Sequence, residues 1–215
     1  MENLGINPSQ SYNAEVAQAL QEILVFFQPG DLEYLRVDLW HWLKAVTGEK
    51  PFLFRGEPST VISLWKQLTK MIDTGRLILD TTSTHDDKKQ RNSFPPFSEE
   101  QIASDFQYMR EIKLLTAKYN GTIRRLTLAE SERPVFFIKR FFETYSQDAW
   151  NQILEDWVEY GLSKMSICEA TGECNEVHQY ELLEALAEAF FLILKAEYEV
   201  GDKGESQEVA FDVNP

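Results

Sequence analysis

The sequence predicts an all-α protein, an irregular array or bundle of six to seven helices with at most a minimal two-stranded β element. Three observations carry that expectation. Apolar residues recur three and four positions apart in segment after segment. Capping residues open those segments, and Gly or Pro-Gly closes them. Apolar residues make up 43 % of the 215 positions and aromatics 13 %, which is enough to fill a core.

Residues 1–12 read as a loose leader containing Pro8. Asn13 is placed to cap a first helix over residues 13–28, with Val16, Ala19, Leu20, Ile23, Leu24 and Phe27 as its apolar set. Pro29-Gly30 stops it. Asp31 then caps a second helix carrying Leu32, Leu35, Leu39, Trp42, Leu43 and Val46 on one face, with Gly48 at its end. So short a joint makes the two helices antiparallel neighbours. A loop over residues 49–57 follows. Pro58 suits the first turn of a third helix, which carries Val61, Ile62, Trp65, Leu68 and Ile72 and is closed by Gly75. Leu77-Ile78-Leu79 reads as a short strand or an extended segment.

Residues 80–93 hold no strongly apolar side chain and are expected to be a mobile loop. Ser98-Glu99-Glu100-Gln101 has capping-box spacing and opens a fourth helix ended by Asn120-Gly121. Residues 122–128 alternate through Ile123, Arg125 and Thr127 as a strand does, and residues 77–79 are its available partner. A very apolar fifth helix opens at residues 131–134 and runs to Tyr145. Ser146 caps a sixth, with Trp150, Ile153, Leu154, Trp157, Val158, Leu162 and Met165 on its face. The seventh follows Asn175 and carries Val177, Leu182, Leu183, Leu186, Phe190, Leu194 and Tyr198, with Gly201 as its end. The expected organisation is an N-terminal helical part (1–79), a linker or loop (80–97), a C-terminal helical part packed on the first (98–201) and an acidic mobile tail (202–215). Together they make one globular domain.

Charge is distributed unevenly. Residues 1–140 hold 18 Lys and Arg against 18 Asp and Glu, whereas residues 141–215 hold 3 against 17, so the whole net charge of −14 falls in the last third. Such a surface repels phosphate backbones, and direct nucleic-acid binding is not expected. It steers basic partners instead. No apolar run approaches the ~20 residues of a membrane span, and the first residues lack the basic-then-apolar pattern of a secretory leader. The cytoplasm is the expected location.

No phosphate loop, dinucleotide glycine fingerprint, nucleophile elbow or metalloprotease pair is present in the sequence. Its three histidines, at 41, 85 and 178, do not fit a di-metal bundle, which needs Glu-x-x-His on two helices. Cys168, Cys174 and His178 are ligand types, but their spacing is not a standard zinc pattern, and two reduced thiols are expected, with no metal and no cofactor. Asp38 and His41 stand three apart on a helix, where a carboxylate can orient an imidazole. Arg55, on a glycine-containing loop before a helix start, is suited to an anion. Glu155, Asp156 and Glu159 cluster on the sixth helix. Glu181, Glu184 and Glu188 lie at i, i+3 and i+7 on the seventh, opposite its Leu/Phe stripe.

Two functions follow as expectations. The first is a non-enzymatic interaction or regulatory protein whose acidic helical face meets a basic partner. The second is a helical domain, an enzyme or a binding module, taking a small molecule or anion around Arg55, His41 and Asp38.

Overall fold

The computed structural model describes residues 14–25, 27, 31–48, 58–82, 118–119, 121–172 and 175–205. Its helices are α1 (Ala14–Leu24), α2 (Asp31–Thr47), α3 (Ser59–Thr82), α4 (Leu128–Glu132), α5 (Pro134–Thr144), α6 (Gln147–Leu162), α7 (Ile167–Thr171) and α8 (Glu176–Glu205). Among the described residues there is no strand, so the all-α expectation holds and the minimal β element is absent from them. Residues 80–82 of the expected mobile loop are instead the end of α3, and α8 runs through Gly201 to Glu205, four residues into the expected mobile tail. The rest of that loop (83–93), most of the fourth helix, the leader and the rest of the tail lie outside the described residues.

Two helices exceed the sequence expectation, and both are short. Thr127 and Glu130 form a capping box that starts α4, and Ser166 and Glu169 form one that starts α7. In each, the hydroxyl accepts the third residue's N–H while that residue's carboxylate accepts the cap's own N–H. Ser146 caps α6 as expected, its hydroxyl accepting the Ala149 N–H at 3.2 Å. The helix ends at Leu162, however, and both Leu162 and Met165 are exposed rather than on its buried face.

Residues 77–79 continue α3 and do not pair with residues 122–128. Gly75 does not close that helix. It is buried inside it, and a Cβ there would lie 3.3 Å from Ile138 Cγ2 and 3.4 Å from Phe142 Cε2. The missing side chain lets α5 approach α3 closely, so this glycine serves packing and not termination.

The central helix is α8. Residues 182–190 are all buried, and α2, α3, α4 and α5 pack around it. A helix apolar on all sides belongs at the centre of a bundle. Around it runs an aromatic layer. Trp42 and Trp157 meet edge to face at 5.5 Å, Trp42 Nε1 donates to the Trp157 carbonyl at 2.8 Å, and Trp157 Nε1 donates to Gln179 Oε1 at 3.0 Å. Phe141 stacks on Trp150 at 4.3 Å. Burying a large aromatic side chain and satisfying its N–H removes the usual penalty of a polar atom in the core.

Candidate functional site

The buried face of α2 carries Arg36 to α8. Arg36 is 5 % exposed, Glu184 4 % and Glu188 0 %, so three formal charges meet in the interior. Glu188 Oε1 accepts from Arg36 Nη2 and from the Arg124 N–H at 2.9 Å, while its Oε2 accepts the N–H groups of Arg125 at 2.9 Å and Leu126 at 3.2 Å. Glu184 accepts Arg36 Nε at 3.0 Å on one oxygen and Arg125 Nε at 2.7 Å on the other. Arg36 also donates to Thr122 O and Glu33, and Arg125 donates to Glu181 Oε1 at 2.9 Å. The network thus fastens segment 121–127 to α2 and α8. Buried charges survive only when paired and hydrogen-bonded in this way.

Glu184 and Glu188 are therefore not on a solvated acidic face. The i, i+3, i+7 spacing is real, but the helix bearing it is surrounded, and arginines from the charge-balanced part of the chain meet these carboxylates. Burial pushes the Glu188 carboxyl above its ordinary range, against the lowering effect of the Arg125 and Arg124 N–H groups and of Arg36. Burial acts to lower the Arg125 guanidinium, but the Glu184 hydrogen bond and charge outweigh it and raise the group. The network groups are hydrogen-bonded to one another, an arrangement that locks structure.

His41 and Asp38 are half-buried on α2, and Arg55 lies outside the described residues. Burial, then the Lys44 charge, push the His41 imidazole below its ordinary value, with the Asp38 charge opposing. A lowered value favours the neutral ring at neutral pH.

Cys168 is disulfide-bonded, and the chain holds one other cysteine, Cys174. This corrects the expectation of two reduced thiols. The Cys168 sulfur lies 3.5 Å from Glu176 Oε2, a contact and not a hydrogen bond, because an oxidised sulfur carries no proton. Nor is it a thiolate ligand, and His178 is exposed at the surface. No three His, Cys, Asp or Glu side chains converge as metal ligands among the described residues. No helix among the described residues is long and apolar enough to cross a membrane.

The carboxylates of α6 are placed differently from those of α8. Trp150, Leu154, Trp157 and Gly161 turn inward. Asp148, Glu155 and Glu159 are exposed on the other side, with Asp156 half-buried and accepting from Gln152 Nε2 at 2.9 Å. No Lys or Arg occurs anywhere on α6, and none of these four carboxylates is ion-paired among the described residues. Glu181 is half-exposed and tied to Arg125. Sequence reasoning missed Arg36 and Arg125, although an apolar run broken only by Glu184 and Glu188 signals carboxylates in need of buried partners. No family model, curated protein or solved structure matches this chain.

Proposed function

We propose that this chain is a non-enzymatic interaction or regulatory protein that binds a basic partner protein through the outer face of α6. The observation that carries this reading is the one-sided stripe of Asp148, Glu155, Asp156 and Glu159, on a helix without a single base. Exposed helices ordinarily mix both signs. A single-sign stripe attracts a cationic surface over a distance set by salt and orients it during encounter. Glu184 and Glu188 take no part, because Arg36 and Arg125 already neutralise them in the interior. The same stripe repels nucleic acid, so a nucleic-acid-binding protein would meet it with its phosphate-binding surface.

Affinity capture with the wild-type chain and with a Glu155→Lys/Asp156→Lys/Glu159→Lys chain as paired baits tests the reading. A basic protein retained by the wild type at low salt, released at high salt and absent from the variant supports it. Equal capture by both baits would move the interface off α6.

A further inference from the structure

Helices α3 and α6 pack together along a seam that is partly polar, and we propose that one internal water molecule is held in it between Thr69 and Asn151. Thr69 Oγ1 and Asn151 Oδ1 are closed off from solvent, and neither has a hydrogen-bond partner among the described residues. A buried oxygen without a partner forfeits the hydrogen bonds it makes in water, and native interiors supply such groups with ordered water. The seam has a fixed point nearby, where Gln147 Nε2 donates to Asp73 Oδ1 at 2.8 Å.

The direction of the two helices brings the two oxygens together. Beyond Asp73, α3 has only its last turns, where the exposed Arg76 and Asp80 pair, before it ends at Thr82. A parallel α6 would set its fully buried Leu154 beside those exposed charges and then overrun the end of α3. Helix α6 therefore runs back along α3 towards Ser59. With Asp73 opposite Gln147 in antiparallel helices, the residue four before Asp73 faces the residue four after Gln147. Those residues are Thr69 and Asn151.

Side-chain length sets the gap between them. Asp73 carries its oxygen on Cγ, and Gln147 carries its nitrogen on Cδ. Thr69 carries its oxygen on Cβ and Asn151 on Cγ, so each of these side chains is one bond shorter. At equal backbone spacing, the 2.8 Å of the Asp73–Gln147 bond widens by about 1.2 Å for each missing bond, to about 5 Å. That is too far for a direct hydrogen bond, and it is the span of two O–H···O bonds meeting at one water. Both atoms are uncharged oxygens, so the ligand is neutral and must donate. Water donates to Asn151 Oδ1, which only accepts, and exchanges a hydrogen bond with the Thr69 hydroxyl, which does either. Two polar partners in a closed seam are what an internal water needs. The site does not involve the exposed carboxylates of α6, and neither reading depends on the other.

Water-oxygen magnetic relaxation dispersion of the full chain tests the site, because it counts waters held for longer than the protein takes to tumble. Wild type is compared with Thr69→Val/Asn151→Leu, in which apolar groups of nearly the same shape replace both partners. The double variant should lose one long-lived water. Thr69→Val and Asn151→Leu alone should each lower the melting temperature by about 2–4 °C, because each leaves the water and the other oxygen short of a bond. The double variant should melt above the sum of those two losses, since the water leaves together with both of its partners. Thr69→Ser keeps the hydroxyl and should keep the water. An unchanged dispersion in the folded double variant overturns the proposal, as do single losses that simply add. Circular dichroism establishes that each variant is folded. If the double variant is not, Thr69→Ser and Thr69→Val decide: a water kept by the first and lost by the second supports the site, and one kept or lost by both contradicts it.

Discussion

Arg36 on α2 and Glu188 on α8 form an ion pair across 152 positions of sequence, and both side chains are closed off from water. The pair sits where α2 and α8 run antiparallel, because Arg36 meets Glu184 and Glu188 while Trp40, further along α2, meets Tyr180. Removing one member leaves a buried charge uncompensated. Glu188→Ala should therefore destabilise the fold by about 3–5 kcal/mol in urea unfolding at neutral pH. A loss within ~0.5 kcal/mol, the range of ordinary surface substitutions, would contradict the burial of this carboxylate.

The same carboxylate gives a pH dependence of definite sign. Burial raises Glu188 above the ordinary glutamate value of about 4.3, so the folded state keeps this proton to higher pH than the unfolded chain does. The contribution is fully present below the ordinary value and is lost as pH rises through the raised one. The stability of the wild type relative to Glu188→Gln should be greatest in mild acid and decline from there toward neutral pH. A difference that grows with pH would mean that Arg36 and the three N–H groups outweigh burial.

Gly161 lies under Trp42. A Cβ at this position would sit 2.6 Å from Trp42 Nε1 and 2.9 Å from Cδ1, in the place of the indole that donates to the Trp157 carbonyl. In an open helix, Gly→Ala stabilises by ~1 kcal/mol. Here Gly161→Ala should instead cost about 1–3 kcal/mol and shift the tryptophan emission. Stabilisation by the substitution would show that α2 and α6 are not so close.

Local signals were legible where local physics decides the structure. Ser146 begins α6 because its hydroxyl caps whatever follows it, and the buried set Trp150, Leu154 and Trp157 has the period of one helix face. Thr127-x-x-Glu130 and Ser166-x-x-Glu169 carry the same kind of signal and were readable, though each starts a helix of only five residues. The rest depends on neighbours. Gly75 has the composition of a helix end and becomes a packing position only because α5 crosses it. Glu181, Glu184 and Glu188 have the spacing of a solvated stripe, and only Arg36 and Arg125 convert the last two into interior residues. The acidic last third of the chain is correspondingly less acidic in space than in sequence.

The oxidised state of Cys168 is checked by thiol titration. Unfolded, unreduced protein should show no free thiol, and reduction should release both of the chain's cysteines. A disulfide restricts the unfolded chain, so reduction should lower stability by about 2 kcal/mol. Two free thiols in protein handled without reductant would restore the reduced reading.

The α6 stripe is tested most directly by the association rate of the captured basic partner, measured by stopped flow against ionic strength. Wild type and Glu155→Lys/Asp156→Lys/Glu159→Lys are compared, all three positions lying away from the buried face of α6. Electrostatic steering acts on encounter, and at about 0.15 M salt it already reaches only about 8 Å. The wild-type rate should therefore fall steeply with added salt. The variant should start slower by about tenfold or more and depend on salt weakly or with the opposite sign, while its thermal unfolding stays close to wild type. An association rate indifferent both to salt and to the reversal would contradict the account and leave the acidic face of α6 as solvated surface.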